Sequence, residues 1–296
     1  MSAAVPNSAG TGRPRVPVPA DAADCHLHIY DPRFPLVFPD RLAVPQASVD
    51  EYRRLQQRLG TSRAVVVQPA AYGTDNRVTL DAIARLGADR VRGIAVVRPE
   101  VTEVELDVLH EGGIRGVRFS MHDPRTAVTT PDMIAPLAPR LAARGWHLQL
   151  HVRADQLVEL ASVVAAVPCD IVFDHLARLP LAQGTRHPAW AIAMQRVDAG
   201  RGWVKLSGPY LEGRDEGLGY TGTTAVARAF VAGAPERMVW GSDWPHPTER
   251  DAKPDDAVLL DRLAEWAPDE ATRLRILVDN PAALYGFGNP AAGRRS

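Results

Sequence analysis

The chain has 296 residues and a formal net charge of -1 at pH 7, and 46% of its residues are hydrophobic and 23% charged. This composition is typical of globular proteins and excludes a chain that is disordered throughout. The 34 Lys and Arg residues are balanced by 35 Asp and Glu residues. That balance gives no basic footprint for nucleic acid or for an anionic membrane, and we expect neither partner.

The N-terminal segment is rich in Ala, Pro, Gly and Ser and lacks the continuous apolar core of a secretion signal. We predict a disordered arm over residues 1–23 and a flexible tail over residues 288–296. Cys25 and Cys169 are too few for a disulfide scaffold and lie in apolar, strand-like runs. They predict reduced, buried thiols in a cytoplasmic protein.

From Asp24 onward, short apolar or β-branched runs alternate with longer segments of helical periodicity. Eight of these runs are predicted strands, and they begin at Asp24, Arg63, Val91, Ile114, His147, Cys169, Gly202 and Arg237. The first helical segment has a capping-box start at Ser48 and Glu51 and a stop at Gly60. Eight β-then-α units predict an α/β fold, a single-domain (β/α)8 TIM-type barrel over residues 24–287.

A doubly wound open sheet is the alternative fold. Such a sheet usually has a glycine-rich turn after its first strand, whereas this first strand ends in His-Leu-His-Ile-Tyr. The sequence also contains no P-loop or GxSxG motif, and its one GxGxxG run, at residues 217–222, does not follow the first predicted strand. These absences disfavour nucleotide-cofactor chemistry and serine hydrolase chemistry.

Residues two apart on a strand share a face, so the pattern predicts which side chains point into the barrel. On the first strand the inward set is Asp24, His26 and His28, and the outward set is Cys25, Leu27 and Ile29. The inward polar residues of later strands are Arg118, Ser120, His147, Gln149, His151, Lys205 and Ser207, and strands six and eight end in Asp174-His175 and Asp243. His147 lies deeper and is interpreted as structural, as are His110 and His187 in helix or loop contexts.

Barrel enzymes carry their chemistry at the C-terminal ends of the strands. This register brings five imidazole or carboxylate groups to one mouth, namely His26, His28, His151, His175 and Asp243. Buried ionisable groups are costly unless they are paired or bound to metal. The set therefore predicts an active site.

These residues stand in motifs that resemble the amidohydrolase superfamily, in particular its amidohydrolase-related branch. The segments DCHLHIYDPRFP, AYGTDN, GVRFS, FDHLAR, VKLSG, VWGSDWPHP and DNPAALYGF are similar to the lactonase group of pyrone-dicarboxylate and sulfomuconolactone hydrolases. The resemblance extends from Asp24 to Phe287. It implies a TIM-type barrel and hydrolysis of the lactone ring of a small carboxylated or hydroxylated substrate.

The resemblance also implies residue roles. Asp243 would be the general base that deprotonates water, with His26, His28 and His175 around the reacting carbonyl. Metal-binding superfamily members imply a single divalent ion, zinc by ligand type, held by His26, His28, His151 and Asp243. The pyrone-dicarboxylate lactonase works without a metal and has Tyr where this chain has His151, so a metal-free mechanism stays open. Binuclear members need a strand-four Lys, and this chain has Arg118 there.

Substrate binding is implied for Arg118, Arg125 and Arg178, and Tyr72 and Tyr210 are loop residues that would shape the pocket. The pyrone-dicarboxylate lactonase has a further Arg after strand seven, where this chain reads GPYLEG. That departure favours a mono-anionic or hydroxylated lactone over a doubly anionic one.

Three other functions remain open from the sequence. The same branch contains non-oxidative decarboxylases with the same His and Asp constellation. It also allows lactone isomerisation, in which a substrate hydroxyl replaces water. A catalytically silent barrel used for binding is the alternative outside enzymes. The sequence leaves the identity of the lactone and the oligomeric state open.

Overall fold

A computed structural model describes residues 4–37, 44–213 and 220–288 of the chain. Within them, eight parallel strands lie side by side in chain order. They are β1 Ala23–Leu27, β2 Arg63–Val67, β3 Val91–Ala95, β4 Ile114–Ser120, β5 His147–His151, β6 Ile171–Phe173, β7 Gly202–Leu206 and β8 Met238–Trp240. The predicted (β/α)8 barrel is confirmed.

Helices follow the strands and cover the outside of the barrel. In the described residues they are α1 Val49–Leu59, α2 Arg77–Leu86, α3 Glu103–Glu111, α4 Ile134–Ala143, α5 Ala154–Glu159, α6 Ala161–Ala166, α7 Pro188–Asp198, α8 Thr221–Gly233, α9 Asp256–Asp261, α10 Leu263–Trp266, α11 Glu270–Leu274 and α12 Asn280–Tyr285. The start of α1 is the predicted capping box of Ser48 and Glu51, and Gly60 ends it in a left-handed conformation with φ 85°.

The barrel closes where the ends of β1 and β8 meet. Leu27 and Trp244 form a parallel bridge, and the Trp244 carbonyl accepts a hydrogen bond from the His28 amide at 2.8 Å. The amide of Asp243 donates to the His26 carbonyl at 2.8 Å. Closure therefore sets the two predicted catalytic segments, one from each end of the barrel sequence, directly beside each other.

The lower half of the barrel interior is apolar. Val65, Val172, Trp203 and Val239 pack together there, with Tyr285 and Phe287 from the C-terminal segment joining the same cluster. A larger apolar cluster lies between the strands and the helices. Polar groups also lie at this end, since Arg63 and Arg92 stand over the Phe287 ring and His147 packs against Tyr285, but the imidazole and carboxylate groups of the predicted site lie near the C-terminal mouth.

The orientation predicted for the first two residues of the β1 motif is wrong. Asp24 points outward and accepts a hydrogen bond from the Tyr52 hydroxyl on α1, whereas Cys25 packs in the interior cluster. The pairing of β1 with β2 shifts register between Asp24 and Leu27. Such a bulge adds one residue to the strand, so simple alternation fails across it. His26 and His28 nevertheless both face the interior.

The residue that follows β8, Gly241, lies very close to the bulged part of β1. A Cβ atom at Gly241 would lie 2.6 Å from the Cβ of His26, closer than two such atoms approach. Glycine at this position therefore allows β8 to approach His26 closely. Asp24 joins the same two strands, because its carboxylate accepts hydrogen bonds from the amide and the hydroxyl of Ser242, at 2.9 and 2.6 Å.

The described part of the N-terminal arm is docked on the barrel, which differs from the disordered arm predicted over residues 1–23. Val5 and Ser8 are buried. Trp244 donates its indole N–H to the Pro6 carbonyl at 3.0 Å, and Arg58 donates to the Gly10 carbonyl at 2.8 Å. The composition of the arm led to the prediction of disorder because composition carries no information about specific hydrogen bonds to distant residues.

Most of the predicted C-terminal tail, residues 289–296, lies outside the described residues. Both cysteines are buried free thiols, as predicted. In the described part of the chain, no helix has the length and hydropathy that crossing a membrane requires.

Candidate active site

A cavity of about 820 Å³ opens at the C-terminal ends of the strands. Its lining includes seven of the predicted site residues, namely His28, Arg118, Arg125, His151, His175, Arg178 and Asp243. His26 is fully buried and contacts His28. The fold therefore brings the histidines and the carboxylate to one mouth, as the strand register predicts.

His26 and His28 form a close imidazole pair on β1. The Nδ1 of His28 lies 2.8 Å from the Val67 carbonyl and donates to it, so its Nε2 lone pair is directed at the cavity floor. The two Nε2 atoms are 3.3 Å apart. Burial lowers the pKa of His28 to about 3, and burial and the nearby Lys205 ammonium hold the pKa of His26 well below its ordinary value. Both rings are therefore neutral at physiological pH.

Asp243 stands next to this pair, just after β8. Its Oδ1 lies 3.6 Å from His26 Nε2, 3.7 Å from His28 Nε2 and 4.0 Å from His175 Nε2. Its Oδ2 accepts a hydrogen bond from the Tyr210 hydroxyl at 2.7 Å. Burial raises the pKa of Asp243 to about 6, although the Tyr210 hydrogen bond lowers it. A carboxylate with this pKa is ionised at neutral pH and basic enough to take a proton.

His175 reaches the site from an unusual turn after β6. His175, Leu176, Ala177 and Arg178 all have φ between 50° and 56°. Left-handed backbone costs a non-glycine residue roughly 1–2 kcal/mol, so four in succession require strong support from their surroundings. Part of that support is a hydrogen bond of 2.9 Å between His175 Nδ1 and the Ser207 hydroxyl. Burial keeps the pKa of His175 well below its ordinary value.

A buried charged layer lies beneath the histidines. Asp174 accepts hydrogen bonds from Arg118 and from Gln149, both at 3.1 Å, and its other oxygen is 3.4 Å from His26 Nδ1. Lys205 donates to Gln149 at 2.8 Å. Burial raises the pKa of Asp174, but His26, Arg118 and Lys205 outweigh it and hold that pKa well below its ordinary value. Burial lowers the pKa of Lys205 to about 8.

His151 lies on the opposite side of the mouth, between two arginines. Its Nδ1 is 3.2 Å from Arg118 Nη2 and its Nε2 is 3.2 Å from Arg178 Nη1. Burial, with Arg118 close by, holds its pKa well below the ordinary value, so the ring is neutral. A neutral imidazole has one lone pair and cannot accept from both guanidinium groups. An acceptor on the substrate would satisfy the remaining donor.

The structure supports a metal site of three donors. Zn–N bonds of about 2.0 Å place two tetrahedral ligands roughly 3.3 Å apart. His26 Nε2, His28 Nε2 and Asp243 Oδ1 are separated by 3.3, 3.6 and 3.7 Å, so these atoms fit such an ion. Val67 and Asp174 lie against the outer Nδ1 atoms of the two rings, as partners of metal-binding histidines commonly do.

His151 is not part of this group of donors. Lys205 lies on the far side of His26, 3.3 Å from its Nδ1. The Lys205 ammonium therefore lies away from the converging atoms of His26, His28 and Asp243, and it is not placed to bridge two metal ions there.

Three of the predicted substrate contacts lie in different environments. Arg125 is largely exposed at the rim and pairs with Asp123 at 2.8 Å. Tyr72 is buried and exchanges hydrogen bonds with the Asp31 backbone. Tyr210 contacts Asp243, and neither tyrosine is among the residues that line the cavity.

Comparison with known proteins matches residues 23–287 to the family described as Amidohydrolase. The chain belongs to the amidohydrolase family. This confirms the family resemblance of the sequence motifs. The fold is shared with a ligand-free Agrobacterium tumefaciens structure, with a TM-score of 0.86, 30% identity and coverage of 95% of this chain and 99% of that one.

Named relatives within the family act on lactones. The chain is 34% identical to a 2-pyrone-4,6-dicarboxylate hydrolase of Comamonas testosteroni, over 94% of each chain. It is 34% identical to a 4-sulfomuconolactone hydrolase of Rhizobium radiobacter, over 91% of each. It is 32% identical to a D-galactarolactone isomerase of Agrobacterium fabrum, over 96% of this chain and 97% of the other.

Sequence reasoning missed several groups that touch the site. His122 stacks on His151 with ring centroids 4.1 Å apart, and it lies in a loop where no strand pattern marks it. The bonds of Asp174 to Arg118 and of Tyr210 to Asp243 join residues far apart in the chain. The inward parity of Lys205 and Gln149 was a usable signal for the buried layer, but it did not reveal their mutual bond.

Proposed function

We propose that the chain is a lactonase that hydrolyses the ring ester of a small lactone bearing one carboxylate. The observation that carries this proposal is the placement of Asp243 Oδ1 within 4.0 Å of three neutral imidazoles, facing a cavity whose other side holds two guanidinium groups. The lactone-named relatives support the same reaction class.

In this mechanism Asp243 is the general base. Water adds to the ring carbonyl carbon while its proton passes to Asp243 Oδ1. The tetrahedral intermediate then collapses, the ring C–O bond breaks, and the leaving alkoxide takes that proton from Asp243. The product is a hydroxy acid and the carboxylate is restored.

His175 is the best placed donor for the developing oxyanion. If Ser207 donates to Nδ1 of this ring, the Nε2 carries a proton and can donate into the site. His28 has the opposite arrangement, because its Nδ1 proton is used on Val67. Its Nε2 can only accept, which suits it to orient the attacking water.

If a divalent ion is bound, His26, His28 and Asp243 would hold it. A bound zinc ion would supply Lewis-acid activation of the carbonyl or the water. The proton transfers assigned to Asp243 and the anchoring of the substrate stay with the same side chains in either case.

The charges of the cavity wall favour a single carboxylate on the substrate. Arg178 donates to Glu212 at 2.7 Å, and Arg118 already pairs with Asp174. Glu212 and the preceding Leu211 belong to the GPYLEG segment, in which the sequence predicts a loss of positive charge. With Arg118 and Arg178 partly neutralised, a second substrate carboxylate would be left with the less buried arginines of the cavity rim, Arg125 and Arg250.

A panel of mono-anionic, dianionic and uncharged lactones, assayed by a pH indicator with wild type and Asp243→Asn, tests this function. We expect ring opening by wild type, fastest with mono-anionic lactones, and a rate lower by on the order of 10³ or more with the variant. Equal rates for the two proteins, or no turnover of any lactone, would contradict it.

The galactarolactone isomerase relative favours one second candidate, in which a hydroxyl of the substrate attacks in place of water. Isotope labelling separates the two reactions. Hydrolysis in H₂¹⁸O puts one labelled oxygen in the product carboxylate, whereas isomerisation yields an unlabelled lactone of unchanged mass.

A further inference from the structure

A chain of buried polar groups extends from the back of the catalytic carboxylate. The Tyr210 hydroxyl lies 2.7 Å from Asp243 Oδ2 and 2.9 Å from His246 Nδ1. On the far side of that ring, His246 Nε2 lies 3.2 Å from the Asp256 carboxylate on α9. Ser8 of the N-terminal arm donates to the same carboxylate. Tyr210, His246 and Asp256 are at most 3% exposed.

None of these three residues is among those that line the cavity, so a direct substrate contact does not explain them. Their hydrogen bonds converge on one turn instead. Asp243 and His246 begin and end that turn, and both have left-handed backbone, with φ of 63° and 54°. Non-glycine residues keep such a conformation only where the surroundings hold it. Lys253 helps by donating to the carbonyls of Pro245 and His246, both at 2.8 Å.

The hydrogen bond from Tyr210 also determines which oxygen of Asp243 faces the imidazoles. The Tyr210 hydroxyl occupies Oδ2 of Asp243, and the opposite oxygen, Oδ1, is the one that faces His26 and His28. A carboxylate without this bond can rotate about its terminal torsion, which is soft. Rotation would turn the reactive oxygen away from the imidazoles and misplace the base, and small misplacements of this kind cost large factors in rate.

We infer that Tyr210, His246 and Asp256 are positioning residues that hold Asp243 in its reactive orientation. The inference rests on the proposed role of Asp243 as the base. Tyr210 orients the carboxylate, His246 orients the tyrosine hydroxyl, and Asp256 fixes the imidazole from behind. The sequence interpretation of Tyr210 as a pocket residue is replaced by this role.

Kinetics of Tyr210→Phe on a mono-anionic lactone provide the main test. We expect kcat to fall by about 10- to 100-fold with KM within about threefold of wild type, because the substrate contacts are untouched. His246→Ala should have a similar effect, and His246→Asn should recover part of kcat, since its amide can occupy the position of Nδ1. Equal losses in kcat and affinity, or no loss, would overturn the inference.

A double-mutant cycle separates positioning from general damage. In the Asp243→Asn background, Tyr210→Phe should cause no further loss in the residual rate, because the positioning residues act only through the Asp243 carboxylate. Additive losses would overturn the inference. Tyr285→Phe is the matched control, since its buried hydroxyl has no hydrogen-bond partner among the described residues and lies at the other end of the barrel. It should retain wild-type kcat.

A crystal structure of Tyr210→Phe, or of Asp256→Asn if that variant does not fold, decides the matter without turnover. We expect the Asp243 carboxylate to be rotated or disordered relative to His26 and His28. An unchanged carboxylate would overturn the positioning role. Absence of lactone turnover by the wild type would instead contradict the proposed function and leave this structural test standing.

Discussion

The two sides of the barrel mouth offer opposite chemistry. On one side, the reaction wall of His26, His28 and Asp243 presents two neutral imidazoles and a carboxylate, whose converging Nε2 and Oδ1 atoms are potential metal ligands. On the other, the anchor wall of Arg118, His151 and Arg178 presents hydrogen-bond donors. Both walls contain histidine from inward strand positions. The difference teaches that neighbours, rather than residue type, decide what a buried histidine presents to the cavity.

The largest predicted effect comes from replacing the carboxylate of the reaction wall. Asp243→Asn keeps the shape of the side chain but cannot take a proton from water, so kcat/KM should fall by on the order of 10³ or more. Steady-state kinetics with an unchanged melting temperature would check this. A variant that keeps more than about a tenth of wild-type kcat/KM, a loss under roughly 1.4 kcal/mol, would remove Asp243 from the base role.

Replacing a guanidinium group of the anchor wall should instead weaken substrate binding. Arg118→Met should raise KM for carboxylated lactones by roughly 10- to 1000-fold and leave uncharged lactones little affected, because a hydrogen bond to a charged group contributes about 1.5–3 kcal/mol and truncating a buried pair costs more. Arg125→Met, at the exposed rim, is the matched control and should have a small effect. Equal losses on charged and uncharged lactones would show that Arg118 is structural.

Metal binding sharpens the comparison between histidines of the two walls. Zinc titration by calorimetry should show at least a tenfold weaker affinity for His28→Asn than for wild type, because a donor is lost. His151→Asn should bind zinc as wild type does, since His151 lies between two arginines and outside the three converging donors. The reverse order of affinities would return His151 to the ligand set implied by the sequence resemblance.

The barrel and its polar mouth are predictable from the sequence because strand parity and the β/α alternation are local patterns. Parity failed at Asp24 and Cys25, where a bulge that no local pattern marks inserts one residue. Strand parity correctly predicted that His151 points into the barrel, but it did not predict the partners of His151. Arg178, for example, reaches His151 from a left-handed turn after another strand. Contacts between distant segments, such as Tyr210 with Asp243, have no signature in a single sequence.

The smallest predicted effect concerns pH. Asp243 acts as a base only when ionised, and burial raises its pKa to about 6, so kcat/KM should rise with pH through an acidic limb centred near pH 6. The Tyr210 hydrogen bond lowers that pKa, so Tyr210→Phe should move the limb to higher pH. A pH profile of both proteins checks the direction. A shift to lower pH in the variant would contradict this account of the base.

The division of the mouth into two walls is tested most directly by a crystal structure of Asp243→Asn with an intact mono-anionic lactone. The account predicts the substrate carboxylate within hydrogen-bond distance of Arg118 or Arg178, and the ring carbonyl oxygen beside His175, with the carbonyl carbon facing residue 243. A lactone bound the other way round, with its carboxylate at the histidines and its ring carbonyl at the arginines, would contradict the account.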